Sequence, residues 1–334
     1  MILAALRAVR SFVSMLLVGA YFTLGSIVLR LGVIPTTWLW PQHRYAITSP
    51  YFKAMARGIF ALLTLGGARF RRRGVLPTAT PIVVVANHQA LTDILQASLL
   101  GRPFAPAFVS RTRYARFVPL VSATIRLLGC PLVDPKRNPR GALEAIRQGG
   151  RELPHGLLIF PEGHRSVDGT VRPFHQAGLQ ALLEAKRVPV YLVVNEGAWR
   201  VRTFLDLLYR VHLLDASSEV LGPLEIPEDP LEIPAFIARC REIIVARLVE
   251  LRGGPPPEGP ERGSEAVAGG NGESEGRPPK IASNRDFRAS IQPDEAVPGR
   301  IATGWSATRR ILRLSPLPTR LGVMPDPSAG AESG

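Results

Sequence analysis

Cysteine is nearly absent: the chain has two in 334 residues, Cys130 and Cys240. Two thiols cannot build a disulfide scaffold or a four-ligand structural zinc site, and each reads as a small buried hydrophobe. Acid is missing in a patterned way. Residues 1–92 contain ten Arg and Lys but no Asp or Glu, and the first carboxylate is Asp93. Over the whole chain 41 basic residues face 27 acidic ones, a formal charge of +14. The last 83 residues add only +1 to that sum, with eleven basic and ten acidic groups. Histidine is scarce at six residues, so few groups can serve in acid–base chemistry. What is plentiful is apolar: 46 % hydrophobic residues support a sizeable core and exclude a wholly disordered chain. Concentrated positive charge suits nucleic acid, anionic lipid or phosphorylated substrates, and its surroundings decide among them.

Those surroundings point to a membrane. Phe12 to Leu29 is an uncharged run of 18 residues, with Arg7 and Arg10 before it and Arg30 after it. That is the least length that crosses a hydrocarbon core of about 30 Å. The next stretch, Leu31 to Trp40, is also apolar and ends in Trp38 and Trp40, which suit the lipid–water interface. A cleaved signal peptide would have a shorter apolar region and a clean small-x-small site. Pro35 is expected to break the segment, which leaves a spanning anchor and a two-helix hairpin in one leaflet both open. A nucleic-acid partner is not expected, because the basic residues overlap the anchor and no aromatic stacking surface accompanies them.

Beyond the anchor, Tyr51–Leu65 reads as a helix and Arg69–Arg73 as a basic cluster. Apolar strand-like runs follow at Pro81–Ala86, Phe104–Val109, Cys130–Val133, Gly156–Phe160 and Val188–Val194. Helical patterns alternate with them at Asp93–Leu100, Tyr114–Leu128, Pro139–Glu152 and His175–Lys186, and Pro234–Leu251 closes the series. The alternation predicts an α/β fold, a mostly parallel sheet flanked by helices, with an N-terminal membrane-embedded helical segment. From Arg252 the composition changes to thirteen Gly and twelve Pro in 83 residues. That segment is expected to be a disordered C-terminal tail. The expected domains are a membrane anchor over 1–45, a catalytic domain over 46–251 and the tail over 252–334.

Two clusters carry chemistry. The strand ending at Ala86 runs into Asn87-His88-Gln89-Ala90-Leu91-Thr92-Asp93, where a helix begins. His88 therefore falls on a loop at a strand's carboxyl end, where open α/β sheets bind ligands. On one continuous helix His88 and Asp93 would point about 140° apart, so an intervening turn is needed for them to meet. A carboxylate on one imidazole nitrogen fixes the tautomer and leaves the other nitrogen to take a proton from an alcohol. The HxxxxD spacing is expected by chance roughly 0.16 times in this composition, so alone it decides little. The second cluster, Phe160-Pro161-Glu162-Gly163-His164-Arg165-Ser166, again follows a strand, and FPEG is expected by chance only about 0.006 times. Pro161 and Gly163 predict a tight turn. Arg165 offers a planar fork for phosphate and Ser166 a further donor, while Glu162 can hold Arg165 or bind an acceptor hydroxyl.

NHQALTD at 87–93 and FPEGHRS at 160–166 together resemble the glycerolipid acyltransferases, in particular the 1-acyl-sn-glycerol-3-phosphate (lysophosphatidic acid) acyltransferase type. The family's first motif falls on Asn87, His88 and Asp93. Its second falls on Phe160, Pro161, Glu162, Gly163, Arg165 and Ser166, and Val188–Val193 resembles a later element. The resemblance implies that His88 and Asp93 are catalytic. Asn87, Glu162, Gly163, Arg165 and Ser166 are then substrate-binding, with Arg113 and Arg137 replacing basic residues of the family's middle block. It implies O-acyl transfer from acyl-CoA or acyl carrier protein to a lysophospholipid acceptor among membrane lipids, with no cofactor and no metal. The acceptor it implies is lysophosphatidate at its 2-hydroxyl. His164, where the family usually has Thr, keeps another lysolipid acceptor open, such as an amino-acid-containing one. A membrane location is implied, with the catalytic domain on the cytoplasmic face (the inner membrane in a bacterium). From other classes come a metallohydrolase using His88, Asp93, Glu162 and His164, and a phosphate-binding scaffold, which would need neither base nor orienting carboxylate.

Overall fold

A computed structural model describes residues 2–254, apart from 153 and 202–203. Of the tail expected over 252–334, Arg252 still belongs to the last helix and residues 255–334 lie outside the described residues.

Six strands form the central sheet: β1 (Arg69–Arg73), β2 (Val83–Ala86), β3 (Ala107–Phe108), β4 (Leu157–Ile159), β5 (Val190–Glu196) and β6 (Asp215–Leu224), in the order β1-β6-β5-β2-β4-β3. All neighbours run parallel except β5 and β6. β2 sits at the centre, with Val83 opposite both Leu157 and Val190, and all four of its residues are buried. A strand covered on both faces must be apolar at every position, which is why PIVVVA reads as a continuous run.

The helices α4 (Thr92–Leu100), α5 (Pro139–Glu152), α6 (Gln176–Ala185) and α7 (Ile233–Arg252) pack around this sheet. α5 shows how local sequence sets the crossover. The Asn138 side chain accepts the Gly141 N–H at 2.9 Å, and Pro139 follows it at a position where no N–H is needed. Its buried face is Ala142, Ile146 and Gly150, spaced four apart, and Gly150 lets Leu182 of α6 come within the space a Cβ would fill. Cys130 and Cys240 are buried free thiols, each pushed up to about 12 by burial, as expected of small hydrophobes.

Four expectations need correction. The Tyr114–Leu128 helix is broken into Tyr114–Phe117 and Pro119–Leu127, because Val118, preceding proline, is extended. Of Cys130–Val133, only Leu132–Val133 is strand, and it pairs with Ser110–Arg111 outside the central sheet. Arg69–Arg73 is itself the edge strand β1. β6, which carries that edge, was not anticipated: its sequence, DASSEVLGPL, is too polar to read as a core strand.

The N-terminus also differs. Helix α1 (Ile2–Val28) continues through a π-helical turn, Leu29–Val33, into α2 (Ile34–Leu39), so Pro35 does not break the path. Proline falls in the first turn of α2, where its missing N–H is tolerated. The reversal comes instead at Trp40, before Pro41, and α3 (Arg44–Leu65) returns alongside α1. Ser14 Oγ donates to Leu62 O at 2.7 Å and Tyr51 Oη to Gly25 O at 2.8 Å, which fixes an antiparallel pairing. Gly25 against Met55 and Gly58 against Tyr21 permit the close approach. The segment Ala5–Leu39 is apolar and long enough to cross a membrane, and much of it is bare, Leu31 being 77 % and Trp38 76 % exposed.

Candidate active site

β2 and β4 are adjacent and parallel, so the two loops that leave their carboxyl ends are neighbours. This is how 87–93 and 160–166, far apart in the chain, come to share one place. His88 Nδ1 lies 2.9 Å from Asp93 Oδ2, with the side chains 14 % and 1 % exposed. The turn required by the spacing is made by Asp93 itself: the same Oδ2 accepts the Gln89 N–H at 2.6 Å and the Ala90 N–H at 2.8 Å. With an acidic acceptor at Nδ1, that nitrogen carries the proton and Nε2 is left as the base. The His88 ring also stacks on Phe160, centroids 4.1 Å apart.

The backbone of His88 is fixed from the other loop. Its N–H donates to Glu162 Oε1 at 2.8 Å, and its carbonyl accepts the Ser166 N–H at 2.7 Å. Glu162 is buried and its Oε2 accepts the Arg172 N–H at 2.9 Å. Burial pushes the Glu162 carboxyl up to about 7, against the lowering effect of those two bonds. Glu162 thus ties three stretches of backbone together; it does not hold Arg165.

Other residues assigned to substrate by sequence have different neighbours. The Asn87 amide donates to Asn195 O at 2.8 Å and accepts the Asn195 N–H at 2.7 Å, while Asn195 Nδ2 donates to Asn87 O at 2.8 Å. This reciprocal pair extends the β2–β5 ladder past the last strand bond. Ser166 Oγ donates to Asp168 Oδ1 at 3.1 Å and accepts the Gly169 N–H at 2.9 Å. Gly163, at φ +66°, makes the turn that only glycine takes without strain. Arg165 is exposed, with no hydrogen-bond or ion-pair partner among the described residues, so its fork is free for a ligand. Arg113 lies over the Tyr114 ring, 4.8 Å from its centroid, and Arg137 is exposed in the turn before α5.

The cation that reaches the loop is Arg111, two residues before the one the motif suggested. Its Nη2 donates to Gly163 O at 2.9 Å and lies 3.5 Å from His164 Nε2. His164 is held below the usual imidazole range, first by burial and then by Arg111, Arg172, His175 and Lys136. The loop therefore offers a positive mouth next to a fixed imidazole. The four residues of the metallohydrolase reading do not converge: Glu162 bonds backbone, and His164 faces Arg111. Among the described residues no three His, Cys, Asp or Glu side chains gather as a metal site.

Comparison with known proteins agrees with this geometry. Residues 68–194 match the acyltransferase family model. A 1-acyl-sn-glycerol-3-phosphate acyltransferase of Chlamydomonas reinhardtii is 29 % identical over 152 residues, covering 44 % of this chain and 41 % of that protein. A chloroplastic enzyme of the same name from Brassica napus is 30 % identical, covering 38 % of this chain and 36 % of the relative. The matched region thus spans about two-fifths of the length of these relatives. The crystal structure of the 1-acyl-sn-glycerophosphate (LPA) acyltransferase PlsC from Thermotoga maritima shares the fold, at a TM-score of 0.55 and 22 % identity, covering 74 % of this chain and 98 % of that one. Both motif loops lie inside residues 68–194, the part of the chain that is similar to the acyltransferase family model.

Proposed function

We propose that the protein transfers an acyl chain from an acyl thioester to the 2-hydroxyl of lysophosphatidate, giving phosphatidate. The observation that carries this reading is His88, locked at Nδ1 by Asp93, on its face by Phe160 and along its backbone by Glu162 and Ser166, with Nε2 left as the base. Nε2 takes the hydroxyl proton as the oxygen attacks the thioester carbonyl. The tetrahedral adduct collapses with loss of the thiolate, and the imidazolium returns the proton to that sulfur. An ester and a free thiol result, and Asp93 stabilises the imidazolium in between.

The positive mouth supports an anionic acceptor. Arg165 has no partner among the described residues, Arg111 is tied to Gly163 O, and Arg172 and Lys136 add positive charge near His164, so the phosphomonoester of lysophosphatidate meets several cations. This favours lysophosphatidate over an acceptor with a cationic headgroup. Arg165→Ala is expected to raise KM for lysophosphatidate about tenfold or more with a smaller change in kcat, measured in detergent-solubilised protein. Unchanged KM would remove Arg165 from the acceptor site. The thioester is carried by CoA or by acyl carrier protein.

The hairpin of α1, α2 and α3 is the membrane seat. α1 touches the domain near both ends, through Ser11 Oγ at 3.1 Å from His212 Nδ1 and through Gly25 beside Leu120. A helix held flush along the domain lies in one leaflet rather than crossing the bilayer with the domain beside it. Its bare face, Leu16, Leu17, Leu24, Ile27 and Leu31, enters the acyl region, and the acid-free basic N-terminus suits an anionic cytoplasmic leaflet. A Leu16→Glu, Leu24→Glu double variant is expected to stay soluble in a flotation assay with anionic vesicles, where the wild type floats. Equal flotation would show that this face is not the seat.

A further inference from the structure

A cavity of about 610 Å³ opens beside the catalytic loops, between the edge strand β1, its neighbour β6, the end of β5 and the end of α7. It belongs to neither motif. Arg71 and Arg73 point into it from one face of β1, in register with Ser217 and Glu219 of β6. Arg200 and Arg252 line it from the other side.

The carboxylates there are already taken. Asp215 pairs with Arg71 at 2.7 Å, Glu219 is held by Arg247 at 3.0 Å from α7, and Glu196 is held by Arg252. Four guanidinium groups and three carboxylates line the cavity, which leaves one positive charge over. The excess is visible in individual groups. Arg73 has no hydrogen-bond or ion-pair partner among the described residues, and Arg252 Nε and Nη1 are buried without an acceptor. Planar forks, a serine hydroxyl and uncompensated charge in a concave site are the donors a phosphoryl group needs. The volume lies in the range of small-ligand sites.

We propose that this cavity binds a phosphate-bearing ligand of about nucleotide size. It communicates with the catalytic pair through one chain of bonds. Glu196 accepts from Gln89 Nε2 at 3.2 Å, and the Gln89 N–H is one of the three donors on Asp93 Oδ2. Two sources supply the same chemistry: the nucleotide end of a CoA thioester, or a free phosphorylated effector. Only the first assignment rests on the acyltransferase reading.

The test is isothermal titration of the full chain in detergent with adenosine 3′,5′-bisphosphate and with pyrophosphate. The wild type is expected to bind at least one probe, Arg73→Ala to bind it about tenfold more weakly, and Arg73→Lys to recover part of the loss. Arg73 is exposed on an edge strand, so the substitution should leave the thermal midpoint near that of the wild type. Neither probe binding, or equal binding by wild type and both variants, overturns the proposal. Competition of the bisphosphate with acyl-CoA identifies the donor's nucleotide as the source; inhibition or activation without competition identifies a separate effector. Because binding is read without turnover, a protein that binds the probes but transfers no acyl group would refute the acyltransferase reading alone.

Discussion

His88→Ala is expected to lower kcat for acyl transfer by about 10³-fold while leaving the fold intact. General-base catalysis contributes roughly 10²–10⁴, and here the base is held in one orientation by four separate contacts. The side chain is a small part of the core. Its loss leaves Asp93 Oδ2 still bonded to the Gln89 and Ala90 N–H groups, so the loop keeps its turn. The thermal midpoint should therefore move little, and KM for either substrate should change much less than kcat. Asp93→Asn should follow with a smaller loss, since the amide oxygen can still accept from the same three donors but carries no charge to stabilise the imidazolium. Near-normal turnover by purified His88→Ala would show that another group takes the proton.

Glu162 gives the second large effect, and it separates two roles. Were Glu162 a ligand for the acceptor, Glu162→Ala would raise KM. Because its oxygens instead accept the His88 and Arg172 N–H groups, truncation leaves two part-buried donors without their acceptor, costing about 1–3 kcal/mol in all. Both stability and kcat are expected to fall, kcat by about 10²-fold as His88 loses its backbone tether, with KM changing less. The pH dependence has a definite sign. With the carboxyl raised from 4.5 to about 7, the folded state binds more protons than the unfolded state between those values. Stability attributable to this group is therefore greatest below pH 4.5, falls as pH rises to 7 and is flat above it, a loss on the order of 3 kcal/mol. Glu162→Gln lacks that slope, so the stability difference between wild type and variant should shift in the variant's favour from pH 5 to pH 8. A difference in thermal midpoint that stays constant over that interval would contradict the raised carboxyl.

Much of this was legible before the structure, for identifiable reasons. PIVVVA and the 139–152 helix could be read because burial on both faces, or along one stripe, leaves a pattern within a few residues. The His88–Asp93 pair could be read because both partners lie in one short loop. Asn195 could not: its only signal is a bond to Asn87, 108 residues away. Glu162 was found, but its use depends on which backbone groups fold over it, and Arg172 and His88 arrive from separate turns. Arg111 was missed in favour of Arg113 because a two-residue offset in a loop decides which guanidinium faces Gly163. β6 was missed because an edge-facing antiparallel strand need not be apolar. A break was expected at Pro35, but the helical path runs on to Trp40, because a proline in the first turn of α2 costs it little.

The central claim is that His88 and the FPEGHRS loop together acylate an anionic lysolipid. It is tested most directly by incubating the purified, detergent-solubilised chain with labelled acyl-CoA or acyl carrier protein thioester and lysophosphatidate, and following labelled phosphatidate. Product formed at a rate that depends on lysophosphatidate, and abolished in His88→Ala, is the expected result. Product that appears only with other lysolipids would contradict the acceptor, and no product with either donor and any lysolipid would contradict the reaction itself.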